Sequence, residues 1–197
     1  LTASGGPFLK YKKSQYKYIK PSNAIKHPKW EMGKKISIDS ATMMNKVFEV
    51  IEARRLFDID YKNINIFIHP ESYLHSIVSF NNGVNKFLLH DTNMKIPIFN
   101  SIYSEEHKIL KTNKLNLKVI NNLNLSKPKK LKFPYLNLID HLPKNISLFE
   151  TVIISANDEL VYLFLNGKIS FTQMYKILNK IINYSKFKKL KKTKPLN

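Results

Sequence analysis

The polar residues best placed to do chemistry follow the run KKISID at helical spacing. Thr42, Asn45, Lys46 and Glu49 stand at i, i+3, i+4 and i+7, so a helix would align a hydroxyl, an amide, an ammonium and a carboxylate on one stripe. Lys46 can neutralise a phosphate, and Glu49 can bind a hard cation through oxygen. An ordinary surface ion pair between Lys46 and Glu49 accounts for the same spacing.

Three other groups are candidates for binding an anion. Ser40 precedes the predicted helix and is placed to cap it, which would leave backbone N–H groups facing a phosphate or carboxylate. A serine before a helix is also an ordinary cap. Ser4 lies in ASGGPF, whose tight turn can bring N–H groups to a phosphate, although Gly-Gly-Pro marks any tight turn. His27 and Trp30 stand in a Pro-containing loop that either closes over a ligand or is anchored by Trp30.

The elements around these residues are predicted from periodicity. KKISID (34–39) has alternating isoleucines and is predicted as a strand. A helix is predicted over 41–57 from an apolar stripe at 3.6-residue spacing, which consists of Met44, Val47, Phe48, Ile51 and Leu56. Strands are predicted at 64–70 and 84–90, with a turn at NNG (81–83) before the second; 71–80 is read as strand or helix.

The second half of the chain has a different character. Asn, Lys and Pro dominate from about 104 to 143, which predicts an arm with short extended pieces. Two amphipathic helices follow, broken at Asn166-Gly167. The predicted fold class is α+β, with a mixed-sheet catalytic domain covered by helices on one face (1–104), a linker arm (105–142) and a small C-terminal helical domain (143–197).

Composition limits the classes of partner. The chain has 33 Lys and Arg against 14 Asp and Glu, a net charge of +19. A nucleic-acid partner is one reading of this charge, but the lysines are spread along the whole chain, as in proteins encoded by A+T-rich genes, so no nucleic acid is predicted. Without cysteine there is no thiolate metal site or disulfide, and no apolar run approaches the roughly 18 residues that span a bilayer, so no membrane partner is predicted.

Four blocks carry a resemblance to a known family. They are LTASGGPF (1–8), HPKWEMGKKISIDSATMMNK (27–46) with Glu49, IHPESYLHSIVSF (68–80) and DTNMKIPI (91–98). In this order and spacing they resemble the 1-deoxy-D-xylulose 5-phosphate reductoisomerases, and weaker similarity continues through KFPYLNL and SANDELVYLFLNGKISF.

The resemblance implies an activity and its partners. Members of the family rearrange 1-deoxy-D-xylulose 5-phosphate and reduce it to 2-C-methyl-D-erythritol 4-phosphate in non-mevalonate isoprenoid synthesis. They use NADPH and a divalent metal (Mg²⁺, Mn²⁺ or Co²⁺) and form homodimers through the sheet of the catalytic domain. A bacterial cytoplasmic or plastid-type location is implied with them.

The resemblance also gives roles to matching positions. Ser4, His27, Ser40, Asn45 and Lys46 would hold the substrate, chiefly its phosphate, and Trp30 would cover it as part of a flap. Glu49 would bind the metal as well as the substrate, and Lys46 and Glu49 are the predicted catalytic residues. Gly33 would lie against NADPH. His75 matches a family histidine and is equally well explained as a structural imidazole.

The sequence departs from the family in what it lacks. It contains no Gly-rich strand–turn–helix fingerprint of an NADPH domain and no acidic segment ahead of LTASGGPF, and Val47 replaces a family glycine. The chain is therefore expected to be the catalytic and C-terminal portion, with the NADPH domain on another chain, and Glu49 is expected to be under-coordinated as a metal ligand. The alternatives are an inactive remnant of the enzyme or, less favoured, a basic nucleic-acid-binding protein.

Overall fold

The structure, a computed structural model, describes residues 1–25, 33–103, 108–114 and 116–195. These residues divide into two compact units. Unit 1 combines Leu1–Ser4 with Ile66–Lys127, and unit 2 combines Gly5–Asn65 with Pro128–Asn197. The predicted domain boundaries near 104 and 142 do not coincide with this spatial division, and the domain assignment stays a prediction.

The secondary structure of the described residues is mostly helical. The helices are α1 (Pro21–Ala24), α2 (Lys34–Thr42), α3 (Met44–Phe57), α4 (Lys95–Ile102), α5 (Leu117–Ile120), α6 (Leu148–Leu165), α7 (Phe171–Asn183) and α8 (Ser185–Lys189). The strands are β1 (Thr2–Ala3), β2 (Phe67–Ile68), β3 (Leu74–Ser79) and β4 (Asn85–Leu89). Short 3₁₀ helices cover Lys13–Tyr18, Tyr61–Asn63, Pro134–His141 and Leu190–Lys192.

Unit 1 holds two short ladders where the sequence predicted one mixed sheet. β1 pairs with β2 in parallel, and β3 pairs with β4 in an antiparallel hairpin closed by the predicted turn at 81–83. The Thr2 hydroxyl lies 2.6 Å from the carbonyl oxygen of Leu74 and 2.9 Å from that of His75, so a side chain occupies acceptors that a joining strand would use. The strand predicted over 64–70 is correspondingly short, at Phe67–Ile68.

The predicted strand at KKISID is wrong, because these residues begin α2. The helix starts after Gly33, whose carbonyl oxygen accepts bonds from both the backbone N–H and the hydroxyl of Ser37. Lys35 and Asp39 form an i, i+4 ion pair along the helix. Ile38 is fully buried and Ile36 is exposed, so the isoleucines do not share the single face that a strand would give them.

The predicted helix over 41–57 is confirmed from Met44 onward and interrupted before it. Met43 has φ 66°, in the left-handed region, so α2 ends at Thr42 and α3 starts in a new direction. The Thr42 hydroxyl accepts a bond from the Met44 N–H across this junction. Met44, Val47 and Ile51 are buried as predicted, whereas Leu56 is exposed.

The C-terminal half of unit 2 supplies much of its core. The two predicted helices are confirmed as α6 and α7, each starting with a serine capping box and separated at Asn166-Gly167. Part of the predicted extended arm is instead the 3₁₀ helix Pro134–His141, where Tyr135, Leu136 and Leu138 are buried. No helix in the described residues is long and apolar enough to cross a bilayer.

Candidate substrate site

The clearest polar cluster lies in the first turns of α3. The Lys46 Nζ atom is 2.6 Å from each oxygen of the Glu49 carboxylate, and the Asn45 amide donates to Glu49 Oε1 at 2.7 Å. The side chains of Lys46 and Glu49 are 14% and 29% exposed, so the pair sits in a recess with restricted access to water. Both Glu49 oxygens thus accept bonds within the cluster, and the expectation that Glu49 is under-coordinated as a metal ligand stays a prediction.

Lys46 keeps some hydrogen-bonding capacity. An ammonium has three N–H donors, and Glu49 accepts from two of them. The third has no acceptor among the described residues. The cluster can thus present a donor to an incoming oxyanion without first losing its ion pair, and the amino end of α3 adds a partial positive charge at the same position.

The glycine turn of ASGGPF packs against the end of α2. Gly6 has φ 67°, and a Cβ placed on it would lie 2.8 Å from the Ser40 carbonyl oxygen and 3.0 Å from Ala41 Cα. Only glycine fits this approach, because any side chain would collide with backbone. Unit 2 thereby brings the loop from Gly5 onward and Ser40 together although they are far apart in sequence.

Ser40 has a different structural role from the one predicted. It lies in the last turn of α2, where its carbonyl oxygen accepts from the Met43 N–H, and it caps neither helix. The residue before α2 is Gly33, and the residue before α3 is Met43. The N-cap prediction for Ser40 is wrong because KKISID is helical, which moves the start of the element seven residues upstream.

A buried carboxylate adjoins Ser40. Asp39 is 2% exposed, and its two oxygens accept from the Asn157 amide of α6 at 2.8 Å and the Lys35 ammonium at 2.7 Å. Burial raises the pKa of Asp39 above its usual 3.8, although the bonds from Lys35 and Asn157 oppose that shift. Lys35 also reaches Asp158, at 3.0 Å, and the two carboxylates raise the pKa of Lys35 against the opposing effect of its burial.

The raised pKa of Asp39 predicts a dependence of stability on pH. Because the folded state holds the Asp39 proton more tightly than the unfolded chain, its contribution to stability falls as pH rises from 3.8 through the raised value. Asp39→Asn removes this decline. Urea unfolding midpoints across that pH range should fall less steeply for Asp39→Asn than for the wild type. The exposed Asp60→Asn variant should keep the wild-type slope, and equal slopes for all three proteins would contradict the prediction.

The described residues do not form a metal or NADPH site by themselves. No group of three or more His, Cys, Asp or Glu among them is arranged to hold a metal, and Glu49 offers a single carboxylate where Mg²⁺ wants about six oxygen ligands. A Cβ placed on Gly33 would meet nothing within 4 Å, so no close backbone approach is built there.

The other predicted site residues are distributed over the chain. Ser4 belongs to unit 1, whereas Gly33, Ser40, Asn45, Lys46 and Glu49 belong to unit 2. His27 and Trp30 lie outside the described residues. Sequence reasoning missed Asp39, for which the i, i+4 spacing to Lys35 was the only local signal.

His75, whose role the sequence left open, lies in unit 1. Its ring stacks on that of His90 with centroids 3.6 Å apart, and its Nε2 lies 2.9 Å from the His90 carbonyl oxygen. These contacts hold the imidazole in the β3–β4 hairpin, which agrees with a structural role.

Comparison with known families assigns both ends of the chain. Residues 1–57 match the profile of the 1-deoxy-D-xylulose 5-phosphate reductoisomerase C-terminal domain, and residues 89–196 match that of the DXP reductoisomerase C-terminal domain. The chain belongs to the 1-deoxy-D-xylulose 5-phosphate reductoisomerase family. The reductoisomerase of Pelagibacter ubique (strain HTCC1062) is 54% identical over 197 residues, which are 100% of this chain and 51% of that protein. That of Persephonella marina is 42% identical over 189 residues, 96% of this chain and 51% of that protein.

Solved structures of the family have the same fold. A DOX-P reductoisomerase in complex with NADPH, fosmidomycin and magnesium has a TM-score of 0.87 and 33% identity, with 98% of this chain and 47% of that one covered. The Zymomonas mobilis reductoisomerase in complex with NADPH has a TM-score of 0.86 and 31% identity, covering 100% and 49%. The chain thus spans about half the length of the reductoisomerases it matches.

Proposed function

We propose that this chain is the catalytic and C-terminal portion of an enzyme that converts 1-deoxy-D-xylulose 5-phosphate to 2-C-methyl-D-erythritol 4-phosphate. The observation that carries the proposal is the cluster of Asn45, Lys46 and Glu49, partly buried at the amino end of α3 in a chain of this family. A location in the bacterial cytoplasm goes with the proposal, in line with the bacterial relatives.

In this proposal the cluster binds the phosphorylated sugar. The free N–H of Lys46 and the amide of Asn45 donate to the phosphate, and the amino end of α3 favours its negative charge. Ser40 and His27 add further donors, and Trp30 covers the substrate. Binding the phosphate at one end fixes the position of the reacting carbons at the other, which lowers the entropy cost of the reaction.

Cofactors enter this proposal from the relatives. Structures of reductoisomerases contain NADPH and magnesium, and NADPH supplies a hydride when it is bound. Gly33 is proposed to lie against NADPH, and Glu49 to contribute one metal ligand. The remaining metal ligands and the NADPH-binding domain would be supplied by residues other than those that the structure describes.

The test of this function is complementation. The chain is mixed with a separately expressed NADPH-binding portion of a reductoisomerase, and NADPH oxidation is followed after adding 1-deoxy-D-xylulose 5-phosphate and Mg²⁺. We expect no oxidation by either part alone and measurable oxidation by the mixture. A mixture that stays inactive, although the two parts co-purify, would identify the chain as an inactive remnant.

We also propose that the chain forms a homodimer through the β3–β4 hairpin. By the pairing register, one face of the hairpin carries the exposed residues Val78, Phe80, Val84 and Leu88 together with Ser76 and Lys86. A two-stranded hairpin with an uncovered apolar face is marginal in water unless it packs on something. A second copy of the same face would cover it.

Leu88→Lys tests this interface. If two copies of the hairpin face meet, the change places like charges in an apolar contact, and we expect the dimer dissociation constant to rise at least about tenfold, or about 1.4 kcal/mol. Sedimentation equilibrium measures the constant. Leu56→Lys, at an exposed position at the end of α3, is the matched control and should leave it unchanged. A wild-type chain that is monomeric at all concentrations would remove the proposal.

A further inference from the structure

Asp39 and Asn157 form a deeply buried polar link between α2 and α6 in unit 2. The residues are 118 positions apart, and both are almost completely shielded from water. A charged group in such a position is costly unless it is paired, and removal of one partner leaves the other uncompensated. Lys35 completes the arrangement from the more exposed side, where it bridges Asp39 and Asp158 and lies 5.2 Å from the centroid of the Phe48 ring of α3.

The Asp39–Asn157 link lies close in sequence to the proposed substrate site. Asp39 directly precedes Ser40, and α2 passes into α3 at Met43, a junction held by the Thr42 hydroxyl. A shift of α2 relative to α6 therefore moves the first turn of α3, which carries Asn45 and Lys46. Asn157 itself stands on α6, which carries none of the proposed substrate-binding residues.

A purely structural role does not account for the chemistry of the pair. Asn157 keeps its amide oxygen buried with no hydrogen-bond partner in the described part of the chain. Replacement of a half-satisfied amide and a buried carboxylate by two apolar side chains of similar size is often neutral or stabilising. Such departures from the most stable packing are typical of residues that serve a site.

We propose that Asp39 and Asn157 are positioning residues that hold α2 against α6 and thereby keep residues 40–49 in the geometry needed to bind phosphate. The inference rests on the proposed function and adds to it two residues that touch neither substrate nor cofactor. The pair links α2 to α6 through one buried hydrogen bond, and Lys35 of α2 adds a second contact to α6 through Asp158.

The experiment compares stability with ligand binding in the chain itself. Inorganic phosphate is titrated at constant ionic strength against chloride, and the amide signals of Asn45 and Lys46 are followed by NMR. In Asp39→Leu/Asn157→Leu we expect the thermal midpoint to be retained or raised and the phosphate dissociation constant to rise at least fivefold. Amide hydrogen exchange without phosphate should accelerate at residues 40–49 more than in α7. Unchanged phosphate affinity, or exchange that accelerates equally in α7, would overturn the proposal.

Two further variants separate positioning from general loss of stability. Asp39→Asn/Asn157→Asp exchanges the amide and the carboxylate, and it should recover at least half of the lost affinity and slow exchange at residues 40–49. Ile153→Ala, one turn before Asn157 in the core face of α6, destabilises the fold without touching the pair and should leave phosphate affinity within twofold of wild type. An exchanged pair that recovers neither property, even if it is the only variant that folds, also overturns the inference.

The same experiment distinguishes failure of the proposed substrate site from failure of the positioning role. If wild-type Asn45 and Lys46 show no phosphate-dependent shift, then the proposed substrate site is wrong. In that case exchange at residues 40–49 still decides whether the pair orders this segment, because that measurement needs no ligand.

Discussion

The Lys46→Ala variant is expected to lower kcat/KM in the complementation assay by at least about 100-fold, or about 2.7 kcal/mol. The change removes an ammonium that faces the proposed phosphate position, and it also leaves the partly buried Glu49 carboxylate held only by Asn45. An uncompensated negative charge then repels the phosphate. Both effects weaken binding of the group that positions the reacting carbons, so KM should rise and kcat should fall together.

Lys34→Ala is the matched control for this variant. Lys34 is an exposed lysine at the start of α2 and makes no ion pair with another described residue. Its removal lowers the net charge by the same amount as Lys46→Ala, and we expect activity within about twofold of wild type, because exposed charges contribute little. Equal losses in the two variants would mean that overall charge, and not the cluster at α3, attracts the substrate. Full activity in Lys46→Ala would remove Lys46 from the mechanism.

The largest effect on stability is expected from Phe8→Ala. Phe8 is 1% exposed and packs edge-on against Phe171 of α7 at 5.5 Å between ring centroids, with Tyr11 at 5.1 Å. Truncation of a fully buried phenylalanine typically costs about 3–5 kcal/mol through lost burial and the cavity left behind. Urea unfolding of the chain should show a loss of this size, and the loop that carries Gly5 and Gly6 should lose its anchor.

Phe57→Ala is the corresponding control at an exposed site. Phe57 ends α3 and is 69% exposed, so its truncation should change the free energy of unfolding by no more than about 0.5 kcal/mol. A small effect in Phe8→Ala as well would show that α7 does not hold the ASGGPF loop in solution. That result would also mean that the packing of Gly6 against Ser40 is not stable in solution.

Local patterns were sufficient for the long helices and for the cluster on α3. The 3.6-residue stripe from Met44 to Ile51 places Asn45, Lys46 and Glu49 together whatever the rest of the fold does, because a helix fixes neighbours three and four residues apart. α6 and α7 have apolar faces of sufficient length, and each begins at a serine cap. These are contacts between residues close in sequence.

Contacts between residues far apart in sequence could not be predicted from local sequence patterns. The alternating isoleucines of KKISID favour a strand locally, but burial of Ile38 and the bond between Asp39 and Asn157 stabilise a helix. Nothing in the composition of residues 1–8 predicts that Thr2 pairs with Phe67 or that Gly6 meets Ser40. The assignment of Ser40 as a cap failed for the same reason, since it depended on where the preceding element ends.

The interleaving of the two units in sequence constrains how the chain folds as it is synthesised. The chain crosses between units after Ser4, after Asn65 and after Lys127, so each unit is assembled from two separate segments. The partner strand of Thr2–Ala3 is Phe67–Ile68, and the ribosome must release more than 60 residues before that parallel pair can close. Gly5–Asn65 likewise waits for α6 and α7 to bury Phe8 and Asp39. Unit 1 can therefore be completed only once the chain has been synthesised to Lys127, and unit 2 only after that, and a single proteolytic cut cannot release the two units as intact halves.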